Sequence, residues 1–403
     1  MSLSRIALNQ QQIEAINWRN LQSLRTGLSD LICEPMEVTS EQLQKMIYSE
    51  GFPEEARFDE QGNLYEENFY VSLQRRMETA IASESIAVRC GVVIDNSFLR
   101  SFPTMAGSYR KEQIGEIDRF AVTMLKLGEP VLVYGQDESG LWSFVRSRQA
   151  IGWMLSERIA WETDFFRWRQ YCTNRMQAVV TDSCFTLDYT DFDGISQSKN
   201  LFMGTCLALY DTTRDTFLVG LPVKDRRGNL ANIQLVLRRN GSLVPGNLPL
   251  SAQNIISQAK KMLGEPYGWG GTGYHRDCTS LVGDVFSTFG LQFPRNSTQQ
   301  LQMFGVERLP VKREQRYQFI SALMPGAVLY FPGHAMLYLG RRGQELEILH
   351  SVYALGLPAA DRIIPHKLRR VITSSLRQQR VNGECLLDAL TACWAPEHQK
   401  QQL

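Results

Sequence analysis

A run of glycines and aromatics breaks into an apolar helical pattern at one cysteine, and no other stretch of the chain is so restricted. Residues 267–282 read Tyr267-Gly-Trp-Gly-Gly-Thr-Gly-Tyr-His-Arg-Asp-Cys-Thr-Ser-Leu-Val282. The glycines among aromatics predict a loop that turns tightly against a flat surface. Then Leu281, Val282, Val285, Phe286 and Phe289 recur at helical spacing, and Gly290 closes the run. Asp277 is the expected N-cap, which puts Cys278 in or next to the first turn. Unpaired amides and the helix dipole favour a thiolate there, so the expectation is a lowered thiol pKa and a nucleophilic sulfur.

A nucleophilic sulfur needs a base. After Met324-Pro-Gly-Ala-Val-Leu-Tyr-Phe-Pro-Gly, His334 opens Ala-Met-Leu-Tyr-Leu-Gly340, a buried strand bounded by glycines. In Leu346-Glu-Ile-Leu-His350 the alternation puts His350 on the face of Leu346 and Ile348. Cysteine at a helix start, one histidine on a strand and a polar orienter on the next strand form an arrangement for nucleophilic acyl chemistry. His275, in the glycine loop, is a rival base but reads as a rim residue. His366 and His398 have no supporting context.

These motifs resemble the NlpC/P60 cysteine peptidases of bacterial cell walls: YGWGG, DC at a helix start, PRNS with a following Gln300, PG before an apolar strand, GHAMLYLG and LHS. DCTSLV departs from the commoner DCSGLV, and PGAVLY lacks the usual acidic residue after PG. Cys278 precedes His334, which fits the unpermuted peptidases. The resemblance implies a papain-like domain with Cys278 as nucleophile, His334 as general base, His350 as orienter and Tyr267 as oxyanion donor. Trp269 would wall the cleft, Asp277 would cap the helix and also hold the substrate backbone, and Thr279 and Ser297 would offer hydroxyls to the peptide. Relatives with SH3-like domains bind the substrate's free amine through an acidic residue of the first such domain, for which Asp118 is the candidate here. The implied substrates are peptidoglycan stem peptides or the murein tripeptide, cut between γ-D-glutamate and the diamino acid, with free N-terminal L-Ala. A wall-binding protein with an idle catalytic domain and an acyl transferase are the rival readings.

The chain has 403 residues, enough for two to four domains at about 100–200 residues each. Lys plus Arg number 43 against 42 Asp plus Glu, a balance that offers no electrostatic case for nucleic acid or an anionic membrane. The eight cysteines form no CxxC pair, and neither HExxH nor GxxxxGK[ST] occurs. Neither metal nor cofactor is expected. Cys172 with Cys184, or Cys385 with Cys393, are pairings that spacing leaves open. No apolar run of about 18 residues suggests a membrane span, and the first residues lack a signal-peptide core. The resemblance implies a cell-envelope or periplasmic protein if a leader was removed, and a cytoplasmic one otherwise. A monomer is expected.

The expected class is α+β. Residues 1–84 read as an amino-terminal helical segment, with apolar stripes at Ile13, Ile16, Leu21 and Leu24 and at Leu43, Met46 and Ile47. Short strands with polar turns then suggest a small barrel over 85–162, which resembles a bacterial SH3-like domain, and the strands over 163–248 resemble a second, divergent one. The tryptophans of the first read as core rather than as a ligand platform. Residues 249–403 form the catalytic domain, ending in a helix expected near Cys385 and Cys393.

Overall fold

The computed structural model describes residues 3–81, 83–359 and 362–402. The outer ends of the expected first and last segments, at 1–2 and 403, lie outside the described residues. The fold is α+β, as the patterning implies.

The amino-terminal segment divides its loyalties. Its first helix, Gln10–Gln22, is fixed by a capping box in which Asn9 and Gln12 bond each other's backbone N–H. Ile13 and Ile16 pack with Leu281, Phe286 and Phe289 in the core of the carboxy-terminal unit. The strand Ile6–Leu8 pairs with Leu250–Ser251 in the same region. Leu24 lies outside the helix and is fully exposed. Residues further on belong elsewhere: Leu31, Leu43, Ile47, Leu73 and Met77 pack with Val92, Trp142 and Trp153 of the first β unit and with Trp168 just after it.

That first β unit is a seven-stranded antiparallel sheet. Its order is Ile159–Glu162, Arg89–Val93, Pro130–Gln136, Trp142–Arg146, Ile151–Leu155, Ser97–Arg100 and Ala121–Leu125. Trp142 and Trp153 are buried, in line with the core reading. The aromatic stretch after it forms a helix, Phe165–Thr173, whose Trp168 is buried and donates its indole N–H to the Gly91 carbonyl at 2.9 Å. A second β unit follows, five strands from Gln177–Val180 to Leu243–Pro245 with the separate hairpin of Cys184–Thr190 and Ser196–Phe202.

The carboxy-terminal unit carries a six-stranded antiparallel sheet in the order Val306–Arg308, Ala392–Trp394, Val328–Phe331, His334–Arg342, Glu345–Ala359, Arg362–Ser375. The Cys278–Ser287 helix lies across the two strands that begin at His334 and Glu345. Phe286 anchors it, with Phe293 stacked at 4.6 Å and Trp394 edge-on at 5.4 Å. Burying one such ring contributes about 1.5–3 kcal/mol, so this cluster fixes the helix against the sheet. The expected final helix is corrected in part: between Cys385 and Cys393 only Leu386–Ala389 is helical, Cys393 lies in a strand, and the last helix follows at Pro396–Gln402. That strand fills the gap between Val306–Arg308 and Val328–Phe331, and pairing on both edges overrides local preference. All eight cysteines are free. Among the described residues no helix is long and apolar enough to cross a membrane.

Candidate active site

The glycine loop is shaped by what it touches. Gly270 and Gly271 have φ of 60° and 87°. A Cβ on Gly270 would stand 2.6 Å from the Ala121 carbonyl oxygen, and one on Gly271 would stand 2.7 Å from the Met124 Cβ. The loop therefore lies directly on the Ala121–Leu125 strand of the first β unit, which only glycine permits. Tyr274 packs between Phe98 of the first β unit (5.0 Å) and Phe202 of the second (6.0 Å). The segment leading to Cys278 is thus clamped by both β units.

Asp277 is the N-cap, in a capping box with Ser280. Its Oδ1 accepts from the Ser280 N–H (2.9 Å) and from the Thr279 hydroxyl (3.1 Å). Its Oδ2 accepts from the Gly270 N–H (3.2 Å) and from Arg295 (2.6 Å). Arg295 also donates to the Thr279 hydroxyl at 2.9 Å. Burial works against the Asp277 carboxylate, but Arg295 and the Ser280 bonds outweigh it and hold its pKa below the usual range. Gln300, fully buried, donates to the Pro294 carbonyl at 2.9 Å and to that of Thr279 at 3.4 Å. The PRNS motif and its glutamine thus lock the helix start that presents Cys278. Arg295 carries this lock and was missed in the sequence, although it stands inside a motif that was noticed.

His334 and His350 come together across neighbouring strands, His334 Nε2 lying 2.9 Å from His350 Nδ1. His350 Nε2 is 3.1 Å from Ser374 Oγ, a third member that periodicity did not single out. Cys278 meets the same strand, because its helix packs on His334–Arg342 and the Ala335 amide acts on the sulfur to favour its thiolate. For His334 to take a proton at Nδ1, its Nε2–H donates to His350 Nδ1, and His350 Nε2–H donates to Ser374 Oγ. Ser351, beside His350, donates to the Arg276 carbonyl at 2.7 Å and ties this strand to the segment before Cys278.

The electrostatics depart from the expected thiolate. Burial, and then the charge of Asp277, push the Cys278 thiol up to about 12, against the Ala335 and Thr279 amides and Arg295. Burial, and then the charge of Arg380, push His334 down to about 4, with Asp277 opposing. His350 is held well below its ordinary value by burial and by His334. Burial thus favours the neutral thiol and the neutral imidazole: desolvation of the sulfur outweighs the helix dipole. His334 acts as a base only when unprotonated, and a lowered pKa keeps it unprotonated further into acid. The acid limb of kcat/KM should therefore fall near pH 4 rather than near 6.5. A pH–rate profile with a midpoint of 6 or above would contradict this.

The other candidate residues divide. Tyr267 packs edge-on to Tyr353 at 6.1 Å, and burial pushes its hydroxyl far up, so it stays a protonated donor. The charges of Asp277 and Cys278 push it the same way, and those of Arg295 and Arg119 oppose them. Trp269 lies under the Arg119 guanidinium at 4.8 Å. Asp277 and Thr279 are corrected as peptide binders, because their polar atoms are taken up by the Arg295 lock. Ser297 is buried at the start of the short helix Ser297–Gln300, away from solvent. His275 lines a separate cavity of about 820 Å³ between the units, whose lining includes none of Cys278, His334 and His350.

Asp118 is also corrected. It is buried, ion-paired with Arg100 at 2.9 Å, and accepts the Ser108 and Phe120 N–H groups at 2.9 Å, so its charge is already matched inside the first β unit. The carboxylate that does reach the catalytic strands is Glu116. It accepts from the Tyr353 hydroxyl, from Lys367 at 3.0 Å and from Arg369. The Arg369 carbonyl in turn accepts the Tyr267 N–H at 2.9 Å. Glu116 thereby ties the first β unit to the supports of Tyr267.

Residues 264–379 match the sequence profile of the NlpC/P60 family, and residues 110–155 that of an SH3 domain of the SH3b1 type. The gamma-D-glutamyl-L-lysine dipeptidyl-peptidase of Bacillus subtilis (strain 168) is 27% identical over 161 residues. The match covers 36% of this chain and 54% of that protein, so the chain spans about half the length of this curated relative. An NlpC/P60 endopeptidase from Photobacterium damselae subsp. piscicida superposes with a TM-score of 0.74 at 18% identity, covering 98% of this chain and 94% of that one. An NlpC/P60 family protein from Bacillus cereus ATCC 10987 gives a TM-score of 0.52 at 18% identity, covering 76% and 98%. Likeness at that identity establishes the fold.

Proposed function

We propose that this chain, which carries an NlpC/P60 domain behind an SH3 domain of the SH3b1 type, is a cysteine peptidase that hydrolyses the γ-D-glutamyl–diamino acid bond of peptidoglycan stem peptides. One observation carries the reading: the helix that starts at Cys278 packs on the strand that starts at His334, whose ring is held by His350 and, through it, by Ser374.

The chemistry follows from the groups. As the Cys278 sulfur attacks the γ-carbonyl carbon, its proton passes to His334, so no free thiolate has to persist in the buried site. Negative charge gathers on the carbonyl oxygen, where the Tyr267 hydroxyl donates. His334 then gives its proton to the leaving amine of the diamino acid, the C–N bond breaks and a thioester remains. Water, deprotonated by His334, attacks the thioester. The C–S bond breaks, the proton on His334 returns to sulfur, and the γ-carboxylic acid leaves and loses its proton to water.

The bond is supported by the likeness to the gamma-D-glutamyl-L-lysine dipeptidyl-peptidase of Bacillus subtilis. The first β unit, pressed on the glycine loop, supports a short peptide with a free N-terminal L-Ala over intact wall. With Asp118 occupied, that preference rests on crowding rather than on an amine–carboxylate pair. Incubation with L-Ala-γ-D-Glu-diaminopimelate, followed by mass spectrometry, is expected to yield L-Ala-γ-D-Glu and free diaminopimelate. Binding of the tripeptide without turnover would point instead to a wall-binding protein with an idle site. Neither binding nor turnover would sink the substrate assignment.

A further inference from the structure

Arg380 stands beyond the matched NlpC/P60 residues and outside every motif read from the sequence. Its loop is tightly fastened. Gln379 bridges Gly356 and Cys385, Gln378 Nε2 donates to the Gly356 carbonyl at 2.9 Å, and the Arg380 N–H donates to the Glu384 carbonyl at 2.8 Å. Gly356 has no room for a side chain, since a Cβ there would lie 2.2 Å from the Arg380 carbonyl oxygen. The fastened backbone sends the guanidinium over the Phe331 ring, 4.4 Å from its centroid, and the Phe331 ring lies 5.2 Å from that of His334. A stacked guanidinium keeps its edge free for in-plane hydrogen bonds. One nitrogen, Nη1, donates to Glu384. Among the described residues no hydrogen bond is recorded to the remaining guanidinium N–H groups, and the side chain is 30% exposed.

We infer that Arg380 is a specificity-determining residue that receives the free α-carboxylate of the leaving diamino acid, so that the site selects peptides ending at that residue. The inference rests on the reading given above as the proposed function. His334 hands its proton to the leaving nitrogen, so the leaving residue lies on the His334 side of the sulfur. The carbon attached to that nitrogen also bears the α-carboxyl group. In a tripeptide this group is a carboxylate, and in a longer stem peptide it is an amide. A cation held on the Phe331 ring, one ring removed from the acid catalyst, can therefore meet the one group that separates the two. The charge of Arg380 is felt at His334, where it opposes protonation, and an incoming carboxylate would relieve that opposition when His334 becomes cationic. Arginine can hold Glu384 and a second carboxylate at different edges of its fork.

The test compares L-Ala-γ-D-Glu-diaminopimelate with its α-carboxamide, using the wild-type chain, Arg380→Gln and Arg380→Lys. A charge-assisted hydrogen bond to a carboxylate predicts that wild type prefers the acid by about 10–100-fold in kcat/KM. Arg380→Gln should abolish that preference by losing activity on the acid alone, and Arg380→Lys should keep part of it. Equal loss on acid and amide would overturn the inference, since Arg380 would then be serving His334, the glutamyl carboxylate or the loop. Wild-type cleavage of both peptides at the same rate would overturn it too and leave the proposed reaction standing. Cleavage of neither would overturn both.

Discussion

Cys278→Ala is expected to lower tripeptide turnover by at least about 10⁴-fold, because the nucleophile and the covalent route vanish together. His334→Ala should cost a comparable factor, and the double variant should be no worse than the poorer single one. Nucleophile and base act as a unit, so their losses do not multiply. The dependence on His334 should be strong here. Where a cysteine is already a thiolate, its base has less to do in the attack. Here burial and Asp277 push the thiol up to about 12, so transfer of its proton to His334 is part of the attack itself. Single-turnover release of L-Ala-γ-D-Glu measures the losses, and unfolding curves check that the variants remain folded. A Cys278→Ala protein that keeps a tenth of wild-type activity would move the nucleophile elsewhere and end the mechanism.

Arg295→Met is expected to destabilise the carboxy-terminal unit by about 3–5 kcal/mol, the usual cost of stranding one partner of a buried ion pair. Asp277 is 5% exposed, and Arg295 holds it at 2.6 Å. Without Arg295 the carboxylate keeps its Ser280, Thr279 and Gly270 donors but loses its countercharge. Adding Asp277→Asn should recover part of the loss, since the stranded charge is then gone, and the two changes should be strongly non-additive. Denaturant unfolding of the two single variants and the double variant measures this coupling. A loss below about 1 kcal/mol for Arg295→Met would mean that water reaches the pair, which is the behaviour of exposed ion pairs. A second effect should accompany the first. Asp277 raises the thiol pKa and Arg295 lowers it, so Arg295→Met should make Cys278 harder to ionise and slow its alkylation.

Much of the site was legible because its signals are local. Asp277 caps the helix as expected, and Ser280, three residues on, completes a capping box with it. His334 opens a strand after Gly333, and His350 lies on the adjoining one. The glycine loop was read as pressed against a flat surface, and the edge strand Ala121–Leu125 supplies that surface. Where reading failed, the deciding neighbour was far off in the chain. Asp118 looked free because Arg100 and the Ser108 amide are brought to it only by the fold. Two residues away, Glu116 showed nothing until Tyr353, Lys367 and Arg369 closed around it. Cys393 was expected near a helix because nothing local foretells that its segment completes a sheet.

The sequence by itself determined where the helix of Cys278 begins, which residues cap it, which histidines lie on strands, and that the chain is α+β. Such features depend on periodicity and on hydrogen bonds spanning three or four residues, which any short window contains. Only the tertiary structure decided the charge state of the site. Whether Cys278 rests as thiol or thiolate depends on how much water the Ala335 strand, Asp277 and Arg295 leave around it. Whether His334 rests neutral depends on burial and on Arg380, 46 residues further along the chain. Burial and long-range charge set a pKa, and both are properties of packed neighbours rather than of the residues next in line.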